Sequence, residues 1–121
     1  MGKSEKLYVF EAPIDLLSYI SLHPEGWREP SYVSLCGVAE HAMVRQLEVQ
    51  PSIRGVHRCL DNDKAGHSAS ERLTARLDEL GGYSVQRLCP QLKDWNDDLK
   101  EEIKQQETFE REQEGGMSLA L

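Results

Sequence analysis

Two aspartates stand two positions apart in Cys59-Leu60-Asp61-Asn62-Asp63-Lys64-Ala65-Gly66, where an apolar run ends and a helix-like segment begins. Carboxylates held at the mouth of a strand repel one another unless a positive charge sits between them. Hard oxygen donors suit Mg²⁺. The same two residues would also serve as an Asx turn and the N-cap of the next helix. The metal reading gains weight because acids follow two other strand-like segments: Glu11 directly after Leu7-Tyr8-Val9-Phe10, and Asp94 beyond the run at 83–88.

Hydrophobic spacing supplies the elements that must position these acids. Residues 7–10 read as a strand, and Pro13 opens a helix with an apolar stripe of Ile14, Leu16, Leu17 and Ile20 that runs to about residue 22. Residues 23–30 read as a loop, and 32–36 as a second strand closed by Gly37. Ala39, Ala42, Met43 and Leu47 mark a second helix. Residues 53–60 form a third strand, interrupted by Arg54, His57 and Arg58 more than a strand buried on both faces should be. Ala65, Ala69, Leu73, Leu77 and Leu80 repeat at helical spacing until Gly81-Gly82, a C-terminal stop. Residues 83–88 give strand four, and Asp94 caps a last helix with Trp95, Leu99 and Ile103 inward. Four strand–helix alternations predict an α/β fold whose parallel sheet is covered on both faces. Ligands of such sheets gather at the carboxyl ends of the strands, where Glu11, Asp61 and Asp63 all lie. For Glu11 to meet the aspartates, strands one and three must be neighbours, which predicts the order 2-1-3-4.

The chain has 121 residues, 39% hydrophobic and 29% charged, which fits one soluble globular domain. No apolar stretch approaches the roughly 20 residues that span a bilayer. The polar start at 1–6 gives no signal peptide, so a cytoplasmic protein is expected, with Cys36, Cys59 and Cys89 as reduced, buried core residues. The net charge of −7 argues against strong solitary binding of nucleic acid. Residues 97–121 carry three basic groups against eight carboxylates, leaving 1–96 near balance. If Glu11, Asp61, Asp63 and Asp94 face a metal, the remaining surface of that part is mildly positive. A domain over 1–107 and an acidic, disordered tail over 108–121 are expected, since the tail has no apolar face.

A strand ending in Glu, a strand ending in Gly, and Asp-x-Asp-x-Ala-Gly opening a helix together resemble the Toprim domain of topoisomerases and bacterial-type primases. The pieces are Val9-Phe10-Glu11-Ala12-Pro13-Ile14-Asp15, Leu35-Cys36-Gly37, Asp61-Asn62-Asp63-Lys64-Ala65-Gly66 and Lys93-Asp94-Trp95-Asn96-Asp97, spread over about residues 7–105. The Asp-x-Asp segment and the Glu11/Asp15 spacing resemble the primase version, and Lys93–Asp97 resembles modules of mobile elements and phages. The resemblance implies a three-layer α/β/α, Rossmann-like fold and phosphodiester chemistry on nucleic acid that depends on Mg²⁺, with Mn²⁺ as a substitute.

It further implies Asp61 and Asp63 as metal ligands and Glu11 as a ligand or general acid/base. Asp94 and Asp97 are candidates for a second metal, and Asp15 for support behind the ligands. Gly37, Lys64, Gly66 and Lys93 are candidate phosphate contacts. Plainer readings stand beside these: a tight turn at Gly37, close helix approach at Gly66, an N-cap at Asp94, a favourable helix dipole at Asp15, and solvation for the lysines. Arg54, Arg58, Arg72, Arg76 and Arg87 would form either a phosphate-facing surface or an ordinary solvated one. Ala12-Pro13 and Asn62 depart from the family's Gly-containing turns.

The expected role is the catalytic module of a primase-like DNA replication protein from a mobile element. A nuclease cleaving DNA or RNA and a non-catalytic docking module of a repair or replication assembly are the alternatives. No zinc-binding or helicase segment is present, so a complete primase is excluded and other domains or subunits are expected partners. DNA is expected in preference to RNA, and no membrane is involved.

Overall fold

The computed structural model describes residues 5–37 and 40–120. Four short strands, β1 (Lys6–Phe10), β2 (Ser31–Ser34), β3 (Gly55–Arg58) and β4 (Ser84–Arg87), alternate with helices α1 (Pro13–Leu22), α2 (His41–Val49), α3 (Lys64–Leu80) and α4 (Trp95–Ala120). The strands form one parallel sheet in the order β2-β1-β3-β4. Ala39, placed by periodicity at the head of α2, and the polar residues 1–4 lie outside the described residues.

The period of two along each strand divides the core. Leu7, Val9, Val56 and Leu60 point to one face, where Met43 and Leu47 of α2 and Leu73 and Leu77 of α3 cover them. Phe10, Tyr32 and Cys59 point to the other, under Trp95 of α4 and Leu16, Tyr19 and Ile20 of α1. This is the three-layer α/β/α, Rossmann-like arrangement. Burying each Leu- or Phe-sized side chain contributes about 1.5–3 kcal/mol. The polar interruptions of β3 are also accounted for. His57 stacks on Tyr8 at 4.5 Å, and Arg58 reaches Thr74 Oγ1 at 2.8 Å on α3.

Trp95 ties the last helix to the sheet by donating from Nε1 to the Cys59 carbonyl at 2.9 Å. α4 then runs well beyond the sheet. The segment expected as a disordered tail is helical to Ala120, and every side chain from Lys100 to Gln113 is exposed. The absence of a buried face agrees with the missing apolar stripe. The helical backbone reflects the helix-forming Glu, Gln, Lys and Arg residues that fill it. The cysteine expectation needs correction: Cys59 is buried, but Cys36 and Cys89 are exposed. Both lie two residues past the last paired residue of their strands, β2 and β4, the two edge strands of the sheet.

Candidate metal centre

After α1 the chain places β2 on one side of β1, and after α2 it crosses to place β3 on the other side. The sheet therefore has its switch point between the carboxyl ends of β1 and β3, the position where ligands of open parallel sheets bind. Glu11 follows β1 directly, and Asp61 and Asp63 follow β3 within five residues.

Asp61 is the electrostatic centre of the group. Its pKa is pushed up from 3.8 to about 7, first by burial and then by the negative charges of Glu11, Asp15, Asp63 and Asp94. Its Oδ1 is buried without any hydrogen-bond partner. Asp15, in the first turn of α1, is 5% exposed, and its Oδ1 accepts from the Asn96 amide at 3.3 Å. Burial raises its pKa as well, the Asn96 bond opposes that, and Asp94, Glu11 and Asp97 add to the rise. Asp61 and Asp15 thus lie in the field of the acids gathered at one end of the sheet, Glu11, Asp63 and Asp94 around the first and Asp94, Glu11 and Asp97 around the second.

Main-chain devices hold these loops. Asp63 is the N-cap of α3, its Oδ1 accepting from the Gly66 amide at 2.7 Å. Asp94 does the same for α4, accepting from the Asp97 amide at 2.8 Å. The capping readings of both residues therefore hold, and each cap leaves one carboxylate oxygen for another partner. The Asn62 amide donates to the Lys93 carbonyl at 2.6 Å, and its side chain donates to the Pro90 carbonyl, joining the β3 and β4 loops. Asp98 closes the second of these loops by accepting from the Gln91 and Leu92 amides. Gly66 lies so close to Asp61 that an added Cβ would fall 2.7 Å from the Asp61 carbonyl carbon, and nearer still to its oxygen. On the β2 side, Cys36 and Gly37 both take positive φ, 50° and 78°, and the Cys36 amide donates to the Glu11 carbonyl at 3.0 Å. Gly37 is thus a turn residue next to the glutamate, while Lys64 and Lys93 are exposed at the rim.

Among the described residues no three His, Cys, Asp or Glu side chains form a ready-made metal cage. Glu11, Asp61 and Asp63 are thus not gathered as a three-ligand set, whereas one or two carboxylates with waters would be enough to hold Mg²⁺. The unpartnered Asp61 oxygen, crowded by like charge, is the donor such an ion would satisfy. The chemistry of these residues fits the ion, and Asp61 with Asp63 or Glu11 would hold it. The site is an open rim. A groove of about 590 Å³ between α1, the 88–92 loop and α4 contains none of the six acids.

Arg58 and Arg87, expected on a phosphate-facing or solvated surface, are paired side by side in β3 and β4. Neither forms a free phosphate-facing surface. Arg58 donates to Thr74 Oγ1 and to the Ser70 and Gln86 carbonyls, and Arg87 donates to the Arg58, Leu60 and Asp61 carbonyls. Arg54 likewise bonds its own loop at the Pro51 carbonyl. A basic residue in mid-strand is the signal that a polar partner lies above the sheet.

Fold and site together define a Rossmann-like α/β domain with an acidic switch point. The chain belongs to the Toprim-like family, whose model matches residues 8–99. Toprim domains in general bind Mg²⁺ and act in nucleic-acid metabolism. The chain is 33% identical, over 91% of its length, to an uncharacterized plasmid-encoded protein of Bacillus anthracis, and spans 36% of that relative. No helix among the described residues is long and apolar enough to cross a membrane.

Proposed function

We propose that the acidic rim is a Mg²⁺ centre for phosphodiester chemistry on nucleic acid, and that the domain is the catalytic module of a primase-like DNA replication protein from a mobile element. The observation that carries this reading is the buried, unpartnered Oδ1 of Asp61 among four neighbouring carboxylates. Bound there, a divalent ion would neutralise phosphate charge and keep the reacting oxygens in line. Asp61 and Asp63 are the proposed ligands, and Glu11, at the opposite lip of the switch point, is a further ligand or the group that moves a proton to or from a hydroxyl. Asp94 and Asp97 would serve a second ion, and Asp15 would orient the α4 side of the rim through Asn96. Lys64 and Lys93 line the path of a phosphate backbone, with Gly37 allowing its close approach, while Gly66 lets α3 pack on the Asp61 peptide.

The open rim suits a polymer better than a small molecule, and the plasmid-encoded relative supports the mobile-element context. Because the chain spans only part of that relative, a template-holding partner domain or subunit belongs to the proposal. The compartment is the cytoplasm, where DNA is replicated. The test incubates the full chain with single-stranded DNA template, nucleoside triphosphates and Mn²⁺ or Mg²⁺, and in parallel with supercoiled plasmid. Template-dependent oligonucleotide synthesis lost in Asp61→Asn is the expected result. Nicking without triphosphates would replace the primase-like role by a nuclease. Neither activity, with partner binding unchanged in Asp61→Asn and Glu11→Gln, would leave a docking module.

A further inference from the structure

A guanidinium beside a carboxylate normally pairs with it, yet the arginine nearest the Asp61 main chain does something else. Arg87 Nη2 donates to the Asp61 carbonyl at 2.8 Å, while Nη1 donates to the Leu60 carbonyl at 2.9 Å and to the Arg58 carbonyl at 3.2 Å. Its Nε is buried without a partner, so these three bonds are what hold the group in place. Three carbonyls at the exit of β3 are thereby gathered by one planar fork, where the strand ladder has already ended at Arg58. Asp61 is fixed in backbone but left unneutralised in side chain, with Oδ1 buried and unpaired. Gly66 presses on the same peptide from the other direction.

We infer that Arg87 is the positioning residue of the metal centre: it locks the main chain of 58–61 so that the Asp61 carboxylate is presented to a cation. The inference rests on the metal reading of the site. A lysine keeps the charge of Arg87 but carries its three hydrogens on a single nitrogen, so it cannot match the spacing at which two guanidinium nitrogens reach the Arg58, Leu60 and Asp61 carbonyls. Arg58 is the matched control. It is the lateral neighbour of Arg87, and its side chain bonds Thr74, Ser70 and Gln86, with no bond to the 60–61 peptides.

Two measurements on the full chain test this. Mn²⁺ titration followed by electron paramagnetic resonance should show about tenfold weaker binding in Arg87→Lys and wild-type affinity in Arg58→Lys, the size expected when a group supporting a ligand is lost. Amide hydrogen exchange without metal should show faster exchange at Asn62 and Gly66 in Arg87→Lys, with the α2 and core-strand amides unchanged. Wild-type Mn²⁺ affinity together with unchanged exchange in Arg87→Lys would overturn the inference. So would an equal loss in Arg58→Lys, which would mean general loosening of the sheet. If the wild type binds no Mn²⁺ at millimolar concentration, the metal reading fails by itself, and the exchange data still decide whether Arg87 holds this loop.

Discussion

Replacing Asp61 by its amide should make the metal-free protein more stable. A carboxyl whose folded pKa is about 7 against 3.8 in the open chain retains its proton on folding over the whole interval between. The native state then binds more protons than the unfolded one, so stability falls as pH rises from about 4 to 7 and stays low above. Taken at face value the shift corresponds to about 4 kcal/mol at 1.36 kcal/mol per tenfold. The group is partly open to water, and screening reduces that to about 1–2 kcal/mol. Asp61→Asn keeps the shape and removes the charge. In EDTA at pH 8 its Tm should lie roughly 4–8 °C above the wild type, at about 4 °C per kcal/mol, and the gap should close towards pH 4. Millimolar Mg²⁺ should then close most or all of that gap. At ten times its Kd an ion adds about 1.4 kcal/mol to the wild type and nothing to a variant that lacks the ligand. Differential scanning calorimetry over pH 4–8, with and without 10 mM Mg²⁺ as about that concentration, reads both effects. The reasoning is refuted if Asp61→Asn is the less stable protein in EDTA at pH 8, or if Mg²⁺ stabilises both equally.

Mn²⁺ affinity, measured by titration calorimetry, should fall about tenfold per pH unit below pH 7, because a proton and the ion compete for the Asp61 carboxylate; a flat profile would remove Asp61 from the ligands. Gly66→Ala would drive a methyl group into the Asp61 peptide, costing about 3 kcal/mol and reading out as a lower urea midpoint; a cost under about 0.5 kcal/mol would show that the α3 terminus shifts freely. Asp63→Ser keeps the cap to the Gly66 amide and removes the carboxylate, so it should retain stability to within about 0.5 kcal/mol while weakening Mn²⁺; Asp63→Ala should lose about 1 kcal/mol as well, and equal stabilities would separate the cap from the fold. Trp95→Phe leaves the Cys59 carbonyl without its donor and should lower stability by about 1–3 kcal/mol, seen as an earlier denaturant midpoint with an unchanged slope.

The order of the sheet was legible because one chemical demand and one topological rule coincide. Glu11 can reach Asp61 only if β1 and β3 are neighbours, and they are. The stripes of α2 and α3 were legible too, since Met43, Leu47, Leu73 and Leu77 recur at the spacing of one buried face and all are buried, whereas Ile14 and Leu17 of α1 and Ile103 of α4, read into the same kind of stripe, are exposed because no layer covers that side of their helices. The exposure of Cys36 and Cys89 was not, because an apolar run that continues past the last ladder bond does not say whether it stays covered: Cys59 and Leu60 beyond β3 are buried, while Cys36 and Cys89 beyond β2 and β4 are exposed. Nor were the partners of Arg58 and Arg87. A bond from a side chain to a carbonyl a few residues further along the neighbouring strand depends on register and strand exit, and neither leaves a periodic trace. The helical continuation of α4 went unread for a related reason: a segment with no apolar face has no tertiary signature, and local propensity alone shapes it.

The loops at this rim are fixed by main chain more than by side chain, and that division has a chemical consequence. Asn62 is bonded through its amide to Lys93, Glu11 through its carbonyl to Cys36, and Asp61 through its carbonyl to Arg87. Each acid is therefore placed by its backbone. A rim built from ion pairs would be more stable without metal, but its carboxylates would already be neutralised, and a cation would have to break a bond to enter. Here Asp63 and Asp94 are the two acids engaged as helix caps, each through one oxygen only. The burial that chiefly raises the Asp61 pKa, and the like-charge repulsion that adds to it, are thus held in side chains whose backbones cannot retreat. On the proposed function, binding of a divalent ion would release that repulsion, and the site's own instability would become part of its affinity.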